Sequence, residues 1–329
     1  MASLIALLTV CGTAATKIHT TSHRRRGAPQ ASSTNSTSNI TYFATLFDSS
    51  DHAWKSKELI SQTARLSLAS APNLGRLTIL THATYRGLAA LRDLASPAVG
   101  VEVLPDHDVG LVTHPNNWVL RVELFKYQFA RRQAPGTRLV YVELDQLFLP
   151  GAGTAFAAVF ERPFDVAFTF NKEPDRFGSV NTGVILIRAG PRALKLLDEA
   201  AKRTLQSTGA RSSGGENQKA LTHLMPHLAW GETWTGEAWT ILSLQYPGPL
   251  NYHAKGCCHL KPDVVVAHFK SMKKRWAKDR CCRDRVAADN GRAWKSACKC
   301  VQDDVKKLPE CSPDNASVLS DSTGWCESY

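Results

Sequence analysis

The feature that most constrains the fold is a regular alternation, from Ile40 to His268, of short apolar runs with stretches of helical periodicity. Strand-like runs separated by helical segments are typical of βαβ units, in which crossover helices join parallel strands. The sequence therefore predicts an α/β fold with a mostly parallel sheet flanked by helices. The predicted strands are Ile40–Phe47, Arg76–Thr81, Gly100–Leu104, Arg138–Asp145, Asp165–Phe170, Asn181–Arg188, Ala238–Leu244 and Val264–His268. The predicted helices are Ser56–Ser70, Tyr85–Leu94, Trp118–Arg131, Pro191–Leu205 and Glu216–Leu224.

Three regions of the chain differ in composition. Residues 1–38 are rich in Ser, Thr, Ala and Arg, and we interpret them as a leader and linker. Residues 39–276 carry the alternating pattern and form the predicted main domain. Residues 277–329 are polar and cysteine-rich, which predicts a small appended subdomain. With 329 residues, of which 43% are hydrophobic, the chain is long enough to bury a large α/β core.

The leader begins with an apolar stretch at residues 2–15. This stretch has the length of a signal peptide and is too short for a comfortable transmembrane helix. It predicts entry into the secretory pathway, with the protein located in the ER or Golgi lumen or secreted. Attachment to the membrane through the same segment is also compatible with this stretch. The basic, Ser-rich residues that follow also suit a transit peptide, so targeting to another organelle stays open. Three N-glycosylation sequons, at Asn35, Asn39 and Asn315, lie outside the predicted core.

The cysteines are concentrated near the C-terminus. Apart from Cys11 there are eight, at 257, 258, 281, 282, 298, 300, 311 and 326. An even set in a polar, loop-rich tail favours a disulfide framework formed in an oxidising compartment. Zinc is the alternative, but two Cys-Cys pairs and one Cys-x-Cys lack the two-residue spacer that is usual in structural zinc sites.

The net charge of +11 is unevenly distributed along the chain. Residues 1–26 carry four basic groups and no acidic one, and residues 261–329 carry fourteen basic and ten acidic groups, which leaves +3 for the middle. The predicted core therefore lacks a strong excess of positive charge. A nucleic-acid partner is not expected, whereas a local positive site for phosphate remains compatible with this distribution.

Two carboxylates, Glu143 and Asp145, end the predicted strand that begins at Arg138. Residues i and i+2 of a strand point to the same face, so these groups are able to converge on one hard cation. Carboxylate oxygens suit Mg²⁺ or Mn²⁺, and Mn²⁺ also accepts an imidazole such as that of His268. His268 and Lys274, after another predicted strand, would complete a site for a metal-bound diphosphate at the far end of the same sheet.

Less specific interpretations of these residues stay open. An acid-x-acid pair by itself more often marks a turn or a helix cap. Asp106 and Asp108 have the same spacing, but they lie in a polar stretch typical of a surface loop. Lys126 and Arg121, on the helix before the acidic pair, could reach a bound nucleotide, although residues of this kind more often form a solvated helix face.

Four motifs occur in an order that resembles glycosyltransferase family 8, the group of glycogenin and galactinol synthase. RLVYVELDQLFL is similar to the strand that bears the Asp-x-Asp motif, and HFKSMKKRW resembles the signature H-x-x-G-x-x-K-P-W. FGSVNTGVILIRAG resembles the strand between them, and ENQKAL resembles an Asp-Gln helix start. The resemblance spans about residues 40–276 and leaves out the leader and the tail.

This resemblance implies a Rossmann-like GT-A fold that binds a nucleotide-sugar, with UDP as the expected nucleotide, and Mn²⁺ or Mg²⁺. Asp145 and His268 would bind the metal, with Glu143 contacting the metal or the ribose. Lys274 would hold the diphosphate, and Gln218 and Asn181 would lie near the transferred sugar. The implied activity is transfer of a sugar to a glycan, a protein or another hydroxyl acceptor, with retention of anomeric configuration.

The chain departs from the family pattern at several positions. Glu143 stands in the place of the first aspartate, Ser271 in that of the glycine, Arg275 in that of the proline, and Asn217 in that of an aspartate. These changes keep a second hypothesis open, in which the domain is a non-catalytic glycan-binding or scaffold protein of the secretory pathway.

Overall fold

An eight-stranded sheet forms the centre of the chain in the computed structural model, which describes residues 39–48, 60–175, 178–208, 215–253 and 263–268. Its strand order is β3-β2-β1-β4-β7-β6-β9-β8. A second sheet has the order β10-β11-β5. The strands are β1 Ile40–Thr45, β2 Leu77–His82, β3 Val99–Leu104, β4 Arg138–Val142, β5 Gln146–Phe148, β6 Val166–Asp175, β7 Gly178–Arg188, β8 Thr233–Thr235, β9 Thr240–Tyr246, β10 Tyr252–His253 and β11 Val266–His268.

Six of the eight strands of the large sheet run in one direction. β1 is parallel to β2 and β4, β2 to β3, and β6 to β9, whereas β7 is antiparallel to β4 and β6, and β8 to β9. The central strands are continuous apolar runs, such as Leu139–Val142 and Val184–Ile187, in which every residue is buried. Strands of this kind are covered on both faces. The predicted fold class, a mostly parallel sheet flanked by helices, is confirmed.

The helices follow the predicted alternation; the one at Trp118–Arg131 has the predicted bounds, and the other predicted helices have shifted ends. They are α1 Gln62–Ala69, α2 Leu88–Asp93, α3 Trp118–Arg131, α4 Ala152–Val159, α5 Pro191–Thr208 and α6 Glu216–Thr222, with a short 3₁₀ helix at Ala71–Leu74. α3, α5 and α6 contact one another, and α6 also contacts β7. α4 was not predicted, because its sequence, AGTAFAAV, is almost entirely small or apolar and shows no alternation of polar and apolar faces.

The small sheet corrects one expectation about the site. His268 was predicted at the end of the same sheet as Glu143, but it lies in β11, which pairs with β5 in antiparallel register, His268 opposite Gln146. Ser67 in α1, with Ser70 and Asn73 between α1 and β2, holds β5 through hydrogen bonds. The Ser67 hydroxyl donates to the Gln146 carbonyl at 2.6 Å, the Phe148 amide donates to the Ser70 hydroxyl at 3.1 Å, and the Asn73 amide donates to the Phe148 carbonyl at 2.7 Å.

The predicted leader at residues 1–38, the cysteine-rich tail at residues 277–329 with its proposed disulfides, and Lys274 lie outside the described residues. Within the described ranges, no helix has the length and apolar character needed to cross a membrane.

Candidate metal centre

Glu143, Asp145 and His268 converge at the point where β4 ends. The strand stops at Val142, three residues earlier than predicted, and the two carboxylates lie in the short link between β4 and β5. His268 Nε2 lies 3.3 Å from Asp145 Oδ1 and 3.4 Å from Glu143 Oε2. One ligand atom from each residue lies within 4.8 Å of the others. The predicted convergence is therefore present, although β11, a strand of the other sheet, brings the histidine there.

The donor set and its spacing fit a hard divalent cation. Two carboxylates and one imidazole are ligands that Mn²⁺ accepts, and Mg²⁺ accepts the carboxylates. The distances from Nε2 to both carboxylates are longer than the roughly 2.7–2.9 Å of a direct charge-assisted hydrogen bond. His268 and Asp145 are buried, whereas the Glu143 side chain is 36% exposed, so the site is open on the side of Glu143.

The two carboxylates also govern the protonation of His268. Burial of the imidazole acts to lower its pKa, but attraction to Asp145 and, more weakly, Glu143 outweighs burial and raises the pKa from 6.5 to about 9. A cation bound by His268 must therefore displace a proton from Nε2.

Gly183 of β7 provides the space that the imidazole occupies. A Cβ at position 183 would lie 2.7 Å from His268 Cε1 and 2.9 Å from Nδ1, closer than side-chain atoms approach one another. The Gly183 carbonyl accepts hydrogen bonds from the Glu143 amide at 3.1 Å and from Gln146 Nε2 at 2.7 Å. Gly183 therefore leaves space for the His268 ring and, through its carbonyl, also binds the backbone of the link that carries Glu143 and Asp145.

Replacing Gly183 with alanine is expected to displace the imidazole and weaken Mn²⁺ binding by about tenfold or more, because a ligand shifted by a fraction of an ångström loses its bonding geometry. Titration of Mn²⁺ followed by electron paramagnetic resonance measures this. Gly190→Ala is the matched control, since a Cβ there meets only the Arg188 carbonyl, at 3.9 Å. Equal affinities of the two variants would contradict the assigned role of Gly183.

Asp108, one member of the competing acidic pair, takes part in surface ion pairs. Asp108 lies 2.6 Å from the Arg132 guanidinium and 3.3 Å from the ring of His107, in the loop after β3. Among the described residues, the group of Glu143, Asp145 and His268 is the one that meets the geometry of a metal site. The preference for this group over Asp106 and Asp108 is consistent with the geometry.

Lys126 and Arg121 on α3 are buried rather than on a solvated helix face, so that alternative interpretation is wrong for both. The Lys126 ammonium is fully buried, lies 2.6 Å from Glu123 Oε1 and sits over the ring of Tyr141 at 4.8 Å. The Arg121 guanidinium lies over the ring of Phe47 at 4.9 Å. Burial lowers the pKa of Arg121, and the charge of Asp48 opposes this effect. Contact of Lys126 with a nucleotide stays a prediction.

The Lys126–Glu123 pair is expected to be needed for stability. Removing one partner of a buried ion pair costs about 3–5 kcal/mol, because the remaining charge is left buried and uncompensated. Lys126→Met should therefore lower the free energy of unfolding by roughly that amount. Combining it with Glu123→Gln, which removes the remaining charge, should recover most of the loss. Urea denaturation of the wild type, both single variants and the double variant measures the coupling, and purely additive losses would contradict it.

The predicted catalytic residues Gln218 and Asn181 lie on different elements. On α6, the Asn217 side chain donates to Glu123 Oε1 at 2.9 Å and accepts from the Gln218 amide at 3.0 Å, which connects the start of this helix to α3. The Gln218 side chain is mostly buried, at 9% exposure. Asn181 is buried in β7, and its Oδ1 accepts from the Gly183 amide at 3.0 Å. Their roles toward a sugar stay predictions.

Three residues of this region were not identified from the sequence: Gly183, Glu123 and Asn251. Glu123 lies three residues before Lys126, a spacing at which side chains of a helix meet, so a signal for this pair was present. Asn251 Oδ1 lies 2.9 Å from His268 Nδ1, across 17 residues of chain. No local pattern predicts such a contact.

Comparisons with known proteins find similarity in structure alone. No protein-family model matches the chain, and no curated protein matches it. The structure of apo mouse xyloside xylosyltransferase 1 is 12% identical, with a TM-score of 0.44 over 70% of this chain and 98% of that one. The apo glycosyltransferase GlyE of Streptococcus pneumoniae TIGR4 is 12% identical, with a TM-score of 0.46 over 81% of this chain and 63% of that one.

The galactosyltransferase LgtC in complex with donor and acceptor sugar analogs is 11% identical, with a TM-score of 0.46 over 78% of this chain and 99% of that one. At such TM-scores and identities, these likenesses carry no weight for the activity, which must be inferred from the site itself.

Proposed function

We propose that the protein is a metal-dependent glycosyltransferase, which moves a sugar from a nucleoside-diphosphate donor, most simply a UDP-sugar, to a hydroxyl group of a glycan, a protein or another acceptor. The observation that carries the proposal is the convergence of Glu143 and Asp145, in the link between β4 and β5, with His268 of β11. The four ordered sequence motifs that resemble glycosyltransferase family 8 support it from the sequence.

In this proposal, Asp145 and His268 would hold Mn²⁺, and Glu143, the most exposed of the three, would contact the metal or the donor ribose. A cation held there would supply Lewis-acid stabilisation of the departing nucleoside diphosphate. Lys274 adds a positive charge to the same diphosphate, as the motif HFKSMKKRW implies. The buried side chains of Asp145 and His268 keep water away from one side of the site.

The proposed stereochemical course is retention, with attack from the face that the diphosphate leaves and with the diphosphate as the base. Gln218 and Asn181 are the residues proposed near the transferred sugar. Determining the anomeric configuration of the product by NMR, immediately after transfer, tests this part separately from the activity itself.

The proposed location is the lumen of the secretory pathway or the extracellular space. The apolar segment at residues 2–15, the three sequons and the even set of eight cysteines support this location. The Ser- and Arg-rich residues after the apolar segment favour the alternative of a transit peptide. Fluorescence microscopy of the full chain with a C-terminal tag distinguishes these destinations.

A panel of nucleotide-sugars, incubated with the purified protein and Mn²⁺, tests the proposed activity. We expect release of UDP from at least one donor, abolished by EDTA and restored by excess Mn²⁺. Activity that persists in EDTA would contradict the metal-dependent mechanism. Absence of turnover with every donor and acceptor would favour the second candidate.

The second candidate is a non-catalytic glycan-binding or scaffold protein of the same fold. The specific observation in its favour is that Glu143 and Asn217 stand in the places where aspartates are usual in the family that the chain resembles. Calorimetry with UDP in the presence of Mn²⁺ discriminates the two. Metal-dependent binding of UDP supports the enzyme, and no binding at millimolar UDP supports the scaffold.

A further inference from the structure

Asn251, in the bridge before β10, joins His268 to the large sheet through a buried amide. Its Oδ1 lies 2.9 Å from His268 Nδ1, and its Nδ2 lies 2.8 Å from both Thr169 Oγ1 and Asn181 Oδ1. Asn251 and Thr169 are completely buried, and Asn181 and His268 are almost so. Water is therefore excluded as a substitute partner, and the donors and acceptors of this network must match one another.

Two backbone groups fix the direction of the hydrogen bonds. The Thr169 hydroxyl donates its proton to the Asn181 carbonyl at 3.0 Å, so Oγ1 is able only to accept from Asn251. The Gly183 amide donates to the Asn181 side chain at 3.0 Å, so the atom that faces it is Oδ1, which also accepts from Asn251. Because main-chain groups do not exchange donor and acceptor, the Asn251 atom directed at Thr169 and Asn181 is Nδ2.

The orientation of the Asn251 amide also determines which atom donates in its hydrogen bond with His268. With Nδ2 of Asn251 engaged by two acceptors, its Oδ1 faces His268 and requires a donor there, so His268 carries a proton on Nδ1. In the neutral ring, Nε2 then has a lone pair, and Nε2 is the nitrogen that faces Asp145 and Glu143.

We propose that Asn251 is a positioning residue for the metal centre, which holds His268 in the tautomer and orientation that present Nε2 to the cation, and that Thr169 and Asn181 set the orientation of the Asn251 amide. This inference rests on the proposed metal-dependent function. Partners of this kind typically affect metal affinity by about 10–100-fold.

The first experiment compares Mn²⁺ binding by the wild type and Asn251→Leu, which removes the amide and keeps a side chain of similar size. We expect Mn²⁺ affinity, measured by electron paramagnetic resonance, to fall by about 10–100-fold. Electron spin-echo spectroscopy should at the same time lose the coupling of Mn²⁺ to an imidazole nitrogen, because the carboxylates alone would retain the ion. Unchanged affinity with unchanged nitrogen coupling would overturn the proposal.

Asn117→Leu is the matched control for general loss of a buried amide. Asn117 is also completely buried, accepts from the Leu120 amide at 3.0 Å and donates to Thr208 at 2.5 Å, away from the three ligand residues. This variant should lower the melting temperature and leave the nitrogen coupling intact. Equal loss of coupling in both variants would mean that Asn251 acts through stability alone, which would overturn the positioning role.

A pair of substitutions at Thr169 tests the orientation of the amide without altering Asn251. Thr169→Val removes one of the two acceptors that select Nδ2 and leaves Asn181 Oδ1 as the other. The amide is then held less firmly in this orientation, and Mn²⁺ affinity should fall about tenfold. Thr169→Ser keeps the hydroxyl and should bind Mn²⁺ within about threefold of the wild type, a difference below 1 kcal/mol. If Asn251→Leu does not fold, the comparison of Thr169→Val with Thr169→Ser tests the inference by itself. Equal Mn²⁺ affinities of these two variants would overturn it.

Failure of the inference is distinguishable from failure of the proposed function. A wild-type protein that binds no Mn²⁺ contradicts the metal-dependent function itself. A wild-type protein that binds Mn²⁺ with imidazole coupling, together with an Asn251→Leu variant that does the same, contradicts only the role of Asn251.

Discussion

Asp145→Asn is expected to abolish Mn²⁺ binding and to lower kcat/KM of the proposed transfer by about 10³-fold. The substitution preserves the shape of the side chain and removes the negative charge that lies 3.3 Å from His268 Nε2. A metal that stabilises a leaving diphosphate contributes several kcal/mol, and each 1.36 kcal/mol corresponds to about a tenfold change in rate. The measurement is UDP release at an Mn²⁺ concentration that saturates the wild type, alongside Mn²⁺ titration of the same variant.

Asp108→Asn is the control for this substitution. Asp108 belongs to an acidic pair with the same spacing as Glu143 and Asp145, but it lies at the surface in an ion pair with Arg132. Loss of a surface ion pair costs about 0–1 kcal/mol, so activity and Mn²⁺ affinity should stay near the wild-type values. Mn²⁺-dependent activity that survives in Asp145→Asn and disappears in Asp108→Asn would place the metal centre in the loop after β3.

The second large effect is a dependence of Mn²⁺ affinity on pH that is due to His268. Since its pKa is raised to about 9 in the metal-free protein, the ring is protonated throughout pH 6–8, and each bound ion displaces one proton. The association constant should therefore rise about tenfold per pH unit across this range. A histidine with the ordinary pKa of 6.5 would give a curve that flattens above about pH 7.5.

His268→Gln separates this effect from the titration of other groups. The variant keeps a polar side chain but has no proton to lose between pH 6 and 8, so its affinity should be almost independent of pH. At pH 8 it should bind Mn²⁺ more weakly than the wild type by about 100-fold or more, because loss of a ligand costs at least as much as the upper end of the roughly 10–100-fold range for residues that only support one. Isothermal titration calorimetry at three pH values measures both slopes. A variant with the wild-type slope would show that another group carries the proton.

The sequence was sufficient to predict seven of the eight strands of the large sheet, because buried strands leave strong local patterns. α3 has the bounds that were predicted, Trp118–Arg131, and β7 extends the predicted strand at Asn181–Arg188 by three residues. The three-residue strands β5 and β8 are too short to produce a pattern of their own. The link between β4 and β5 was consequently assigned to β4.

Only part of the site was predicted, because local spacings are visible in the sequence and long-range contacts are not. Glu143 and Asp145 were identified as a pair because their spacing is local, and His268 because it follows an apolar run. The spacing of Glu123 and Lys126 is a local signal for their ion pair, but the packing of Lys126 against Tyr141 leaves no pattern in the sequence, so the burial of Lys126 was not predicted. The contacts of Asn251 with Thr169 and Asn181 join residues 82 and 70 positions apart, and only the folded chain brings them together.

The most direct test of the central claim is an anomalous-difference map from crystals of the protein soaked with Mn²⁺ and UDP. The proposed function predicts a single strong peak at the end of β4, within bonding distance of an Asp145 carboxylate oxygen and His268 Nε2, with the UDP diphosphate as a further ligand. A map with no peak between these residues, or with Mn²⁺ bound only at another position, would contradict the assignment of this site as the metal centre of a glycosyltransferase.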